Sequence, residues 1–206
     1  MAEPQPGYPW FAAVYDRLNA SMERGFMRGV REDLAGGARG RVLEIGCGTG
    51  ASFPYYRDGA TELVATEPDA YMLERATRRA QDVGRPIDIR QAPAEELPFA
   101  DRSFDTVVST LVLCTVRDPA RALAEVKRVL TPEGEFRFCE HVRAGNAPGA
   151  FLQDVITPLW SRVLAGCHPN RDLVRHIREA GFHIARLDHL EQPLIPVFVA
   201  GVARAL

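Results

Sequence analysis

The segment that most constrains this chain is Arg41-Val-Leu-Glu-Ile-Gly-Cys-Gly-Thr-Gly50. A short strand runs straight into three glycines placed at alternate positions. A glycine-rich turn between a first strand and a helix lets a ligand approach the backbone closely. In an open α/β sheet that ligand sits beyond the carboxyl ends of the strands. The plainer alternative is a tight turn that binds nothing, and the strand context argues against it.

The loop's charge then narrows the ligand. A dinucleotide fingerprint is G-x-G-x-x-G, and here the third glycine comes one residue early. Glu44 stands two residues before the first glycine, and no Lys or Arg occurs in residues 42–56. A carboxylate repels a pyrophosphate but attracts the ammonium of a methionine group. S-adenosylmethionine (SAM) has that ammonium and no phosphate, so charge favours it over NAD. Glu67 closes a second strand at the position where such folds place an acid for ribose hydroxyls. Pro68 and Met72 are placed to wall an adenine slot, with Ala94 and Glu95 at its other edge; for Met72, core packing is an equal reading.

From the loop onward strands and helices alternate. Strands are expected at 62–66, 87–91, 104–109 and 135–140. Asp69 caps one helix, which Gly84 ends, and Asp118-Pro119 opens another, which Thr131-Pro-Glu-Gly134 breaks. Two helical stretches follow near 150–165 and 171–180. Residues 183–190 and 194–205 read as a last, antiparallel pair of strands. Helical spacing of Phe11, Val14, Tyr15, Leu18, Phe26, Met27, Val30 and Leu34 predicts one or two helices over 9–35. The alternation predicts an α/β fold around a mostly parallel sheet. A single domain over 1–206 is expected: a helical lid at 1–40 and a core at 41–206, with a helical insertion near 148–180.

Composition sets the remaining limits. Apolar residues make up 46% and charged residues 25% of 206, which is a globular balance. The net charge of −2 and the lack of a Lys/Arg run give no footprint for nucleic acid. Four dispersed cysteines without a CxxC pair predict free thiols in a reducing, cytoplasmic setting. No secretory signal or membrane span is expected, because the apolar tract from Pro193 to Ala203 is too short; peripheral membrane contact stays open. The sequence is silent on oligomeric state.

VLEIGCGTG, ATEP, EELPF, FDTVVSTLVLCTV, EVKRVLTPEG and FCEHV together resemble the class I SAM-dependent methyltransferases. Within them the pattern is similar to the methyltransferase-like seven branch, the alkyl thiol methyltransferases of animals. TLVLC (110–114), EHV (140–142) and Gly166-Cys167 with Arg171 carry the branch likeness. The resemblance implies a Rossmann-like, seven-stranded sheet in the order 3-2-1-4-5-7-6, with helices on both faces. It implies that Glu44, Gly46, Cys47 and Gly48 hold the methionine part of SAM and Glu67 the ribose. Backbone at Ala94-Glu95 would meet the adenine, and Thr110 and Leu111 would lie beneath the cofactor. Two departures stand out: the animal proteins carry an N-terminal hydrophobic anchor not expected here, and Pro93 replaces an Asp.

SAM brings an electrophilic methyl group and leaves as S-adenosylhomocysteine, so alignment of a nucleophile and exclusion of water matter most. His141, after the fifth strand, is the candidate base, with a structural histidine as the even alternative. No acidic cluster or histidine spacing suggests a metal, so none is expected. Trp10 and Tyr15 on one side, and Phe151, Asp154, Trp160 and His168 on the other, are the candidate pocket for a small, largely apolar acceptor. The expected reaction is methylation of a thiol or hydroxyl. The alternatives are a quinone, phenol or lipid precursor as acceptor, or a SAM-binding module without catalysis.

Overall fold

The computed structural model describes residues 23–164, 166–190 and 197–206. After a π-helical turn at Glu23–Met27 come α1 (Arg28–Leu34) and β1 (Gly40–Ile45). A 3-10 turn at Phe53–Tyr55 leads to β2 (Ala60–Thr66), α2 (Ala70–Val83) and β3 (Asp88–Arg90). β4 (Phe104–Thr110), α3 (Pro119–Val129) and β5 (Leu130–Val142) follow. The last elements are α4 (Ala147–Val163), α5 (Leu173–Glu179), β6 (Phe182–Leu190) and β7 (Val197–Ala205).

The strands form one seven-stranded sheet in the order β3-β2-β1-β4-β5-β7-β6. The sheet is mixed: β3 to β5 pair in parallel, whereas β7 is antiparallel to both β5 and β6. The four parallel pairs bring the carboxyl ends of β1, β2, β4 and β5 to one edge, where the loops of interest lie. Alternation along β1 divides the core. Leu43 and Ile45 join one apolar cluster with Leu123 and Val126 of α3 and Leu173 and Ile177 of α5. Val42 joins the other, with Leu34 of α1 and Ala76 of α2.

The helix boundaries follow local chemistry. The Asp69 carboxylate accepts from the backbone N–H groups of Tyr71 and Met72 at 2.8 and 3.1 Å, and Gly84 ends α2 at φ +74°. Asp118 caps α3 through Arg121 N–H at 3.0 Å, with Pro119 in the first turn. One boundary needs correction. β5 begins at Leu130 rather than 135, because Leu130 pairs with Phe104 and the Thr131–Gly134 turn is an irregularity inside the strand. Of the predicted N-terminal helices, Trp10, Phe11, Tyr15 and the rest of 1–22 lie outside the described residues.

Candidate active site

The glycine loop is built as the sequence implies. Gly46, Gly48 and Gly50 have φ of +55°, +58° and +77°, a region that costs other L-residues about 1 kcal/mol or more. A Cβ on Gly46 would lie 2.7 Å from both methyl carbons of Val112, while one on Gly48 would meet nothing within 4 Å. Gly46 is therefore a contact with the β4 loop, and Gly48 faces open space.

Glu67 staples this loop to the end of β2. Its two oxygens accept the backbone N–H of Gly48 at 2.9 Å and of Asp69 at 3.0 Å. Burial pushes its acid up to about 7, against the pull of those two N–H groups. Each oxygen keeps a second lone pair. Cys47 is buried between Glu44 and Glu67. Its thiol is pushed well up by burial and by those two charges, so it is an inert part of the loop.

Glu44 is buried beneath the loop, where the Tyr56 hydroxyl donates to it at 3.0 Å. Burial raises its pKa, opposed by Arg31, Ser52 and Tyr56. Two cations therefore come near a loop whose own sequence window has none. Arg31 of α1 donates to Ser52 Oγ at 2.6 Å and pairs with Glu23 at 2.7 Å, and Arg79 of α2 reaches Thr49 Oγ1 at 3.3 Å. Residues 42–56 alone understate the positive charge at the loop, because the fold brings in guanidinium groups from both flanking helices.

The residues expected on the adenine side lie in the segments after β2 and β3. Met72 is buried at the start of α2, and Pro68 is half-buried with its carbonyl accepting from Gln91 at 3.0 Å. Ala94 belongs to the main core, and the Glu95 carboxylate accepts from Arg117 N–H at 2.8 Å, tying this loop to the approach to α3. Thr110 ends β4, and Leu111 takes a left-handed φ of +61° with its N–H on Cys139 O at 2.8 Å.

Glu140 is what holds the loop after β4 in place, a role that sequence reasoning missed. The residue is fully buried on β5. It accepts the Ser109 hydroxyl at 2.6 Å and the backbone N–H groups of Val112, Leu113 and Cys114 at 3.1, 3.0 and 3.2 Å. Burial raises its pKa, and these four donors oppose the rise. From the far side Arg171 donates to Leu113 O at 2.7 Å. The EHV and TLVLC motifs are thus one hydrogen-bonded unit.

His141 lies at the carboxyl edge as expected, but its ring faces sulfur. Nδ1 is 3.3 Å from Cys167 Sγ and 3.4 Å from Cys114 Sγ, and the two sulfurs are 3.8 Å apart. The ring also packs on Phe198, with centroids 4.5 Å apart. The hydrogen bond shared with Cys114 lowers the Cys167 thiol, with help from His141, while that same bond and burial push Cys114 well up.

The residues expected to line the acceptor pocket lie in different settings. Trp10 and Tyr15 lie outside the described residues. Trp160 packs against the main core, and His168 lies on the loop after α4, its Nδ1 donating to Gly166 O at 2.6 Å. Phe151 does not join them: it is 71% exposed on the outer face of α4 with Leu152, Val155, Leu159 and Val163. Asp154 is an exposed partner of Arg143 and Asn170, at 2.7 and 2.9 Å, and that pairing accounts for it without an acceptor. Among the described residues no helix is long and apolar enough to cross a membrane.

Open space before Gly48, a buried acid at the end of β2 and an apolar wall at Met72 suit a ligand with an amino acid, a ribose and a base. Comparison with known proteins gives the same answer. A methyltransferase domain family matches residues 43–138. Thiol S-methyltransferase TMT1A of Homo sapiens is 33% identical over 189 residues, 89% of this chain and 77% of that protein. Thiol S-methyltransferase TMT1B of Homo sapiens is 36% identical over 165 residues, 77% of this chain and 67% of that protein. A solved complex of the Haloferax volcanii Trm112 methyltransferase activator with a methyltransferase matches at TM-score 0.74 and 18% identity, over 96% of each chain; that likeness concerns the fold.

The chain belongs to the class I SAM-dependent methyltransferases and is an enzyme that uses SAM. Within that class it lies close to the thiol S-methyltransferase branch.

Proposed function

We propose that this enzyme methylates the sulfur of a small, largely apolar thiol. The observation that carries this reading is the likeness to two thiol S-methyltransferases, which covers 89% of this chain for one and 77% for the other and so extends beyond the glycine loop and Glu67.

In this reading Glu44 and the Gly46–Gly48 turn hold the methionine part of SAM, and Glu67 accepts the ribose hydroxyls. Pro68 and Met72 wall the adenine, and backbone at Ala94-Glu95 meets its edge. Thr110 and Leu111 form the floor, held by Glu140. SAM supplies a methyl group already activated on a sulfonium. The protein's share is to align the acceptor and exclude water, with Trp160 and His168 as the candidate contacts among the described residues. A thiol of reference pKa about 8.5 is already a few per cent thiolate near neutrality, so it needs less help from a base than an alcohol does.

The test is to incubate the enzyme with methyl-labelled SAM and matched pairs of alkyl thiols, alcohols, phenols and a demethylated quinone. Label on the thiols alone supports the reading. Label on a phenol, quinone or lipid acceptor, with thiols silent, overturns the thiol assignment while leaving the methyltransferase intact.

A further inference from the structure

Three soft donors from distant parts of the chain converge at one buried point. Cys114 comes from the loop after β4, His141 from the end of β5, and Cys167 from the loop between α4 and α5. The packing of small apolar thiols would account for the cysteines. It does not account for an imidazole nitrogen turned between two sulfur atoms at 3.3 and 3.4 Å.

The triangle has the dimensions of a metal's ligand face. A tetrahedral zinc with Zn–S of about 2.3 Å and Zn–N of about 2.0–2.1 Å sets its S···S edge at about 3.8 Å and its S···N edges at about 3.6 Å. The edges here are 3.8, 3.3 and 3.4 Å. We infer that Cys114, His141 and Cys167 form a zinc site with two thiolate ligands and one imidazole ligand.

Charge and surroundings agree with this. A dication with two thiolates and a neutral imidazole carries no net charge, which suits a site whose three residues are 0%, 8% and 4% exposed. Binding displaces the proton of each thiol still protonated, so the balance is one zinc ion taken up and up to two protons released. The buried Trp160 indole N–H, on the helix that leads into the Cys167 loop, has no hydrogen-bond partner among the described residues. The His168 N–H donates to Cys114 O at 2.7 Å, which clamps the Cys167 loop onto the β4 loop. Such outer contacts orient metal ligands. Among the described residues no fourth Cys, His, Asp or Glu joins the cluster, so these residues supply three of the four corners.

The test uses the full chain under reducing conditions. It is loaded with zinc, passed through gel filtration and assayed for retained metal; a second sample is loaded with cobalt(II). The expected result is one zinc per chain and, with cobalt, a thiolate-to-metal charge-transfer band with the intense visible bands of tetrahedral cobalt. Cys114→Ser, Cys167→Ser and His141→Ala should each lose the retained zinc, whereas Cys139→Ala should keep it. A wild-type chain that retains no zinc and gives octahedral cobalt without the charge-transfer band overturns the site, whether or not the variants fold. Retention unchanged in both cysteine variants does the same. SAM titration of the same samples separates failure of this site from failure of the methyltransferase reading, because Gly46–Glu67 and the cysteine cluster share no residue.

Discussion

Replacing Glu140 by alanine should damage this protein more than any other single change in the site. The carboxylate takes four buried donors: Ser109 Oγ and the N–H groups of Val112, Leu113 and Cys114. Each buried donor left without a partner costs about 1–3 kcal/mol. Four at the low end give about 4 kcal/mol, since water entering the vacated space recovers part of the loss. A domain of this kind has only about 5–15 kcal/mol in total. With a urea dependence of about 2–3 kcal/mol per molar, the unfolding midpoint should fall by about 1.3–2 M. Glu140→Gln keeps the shape and one acceptor oxygen, and should cost about 1–2 kcal/mol. The same loop carries Leu111 in its left-handed turn and Val112 against Gly46, so SAM affinity should drop at least about tenfold in the alanine variant. Urea unfolding of the three proteins checks this. An alanine variant within about 0.5 kcal/mol of wild type would show that the N–H groups find other partners and that the reasoning is wrong.

Other perturbations have equally definite outcomes. Gly46→Ala places a Cβ 2.7 Å from Val112 on top of a φ of +55°, so calorimetry should show weakened SAM binding; adding Val112→Ala should recover part of it, and no recovery would move the cause to the backbone alone. Glu67 has its pKa raised to about 7, so the free enzyme takes up a proton below that pH, and the ionised form is the better acceptor for ribose hydroxyls. SAM affinity should therefore be level well above pH 7 and fall about tenfold per pH unit below it, with Glu67→Gln flattening the profile; an unchanged profile in the variant would remove Glu67 from the ribose site. Gln153 is fully buried, accepts Ala144 N–H at 2.7 Å and donates to Val142 O and Pro169 O at 3.0 and 3.1 Å. Gln153→Ala should cost about 2–4 kcal/mol in urea unfolding, and a loss below about 1 kcal/mol would mean that α4 is anchored elsewhere.

Much of this was legible in the sequence because its causes are local. Asp69 and Asp118 cap their helices within three residues, and Gly46, Gly48 and Gly50 announce a turn that only glycine adopts cheaply. The order of the sheet came with the family resemblance, since alternation alone does not rank strands. The groups that hold the site were hidden by distance along the chain. Glu140 meets partners 26 to 31 residues away, and the cysteine pair spans 53 residues, so no spacing rule such as CxxC reports it. Arg31 reaches the glycine loop from a helix that the charge argument did not include. Phe151 and Trp160 read alike as aromatics in one helix, yet opposite faces send one outward and one to the core. An aromatic's type does not say which way its helix is turned.

The central claim is that the loop from Gly46 to Gly50, with Glu67, binds SAM. The most direct measurement is calorimetric titration of the purified protein with SAM, S-adenosylhomocysteine and NAD. The expected result is saturable binding of the first two, lost in Gly46→Arg, and no heat with NAD. Binding of NAD alone, or of none of the three by a folded protein, would contradict it.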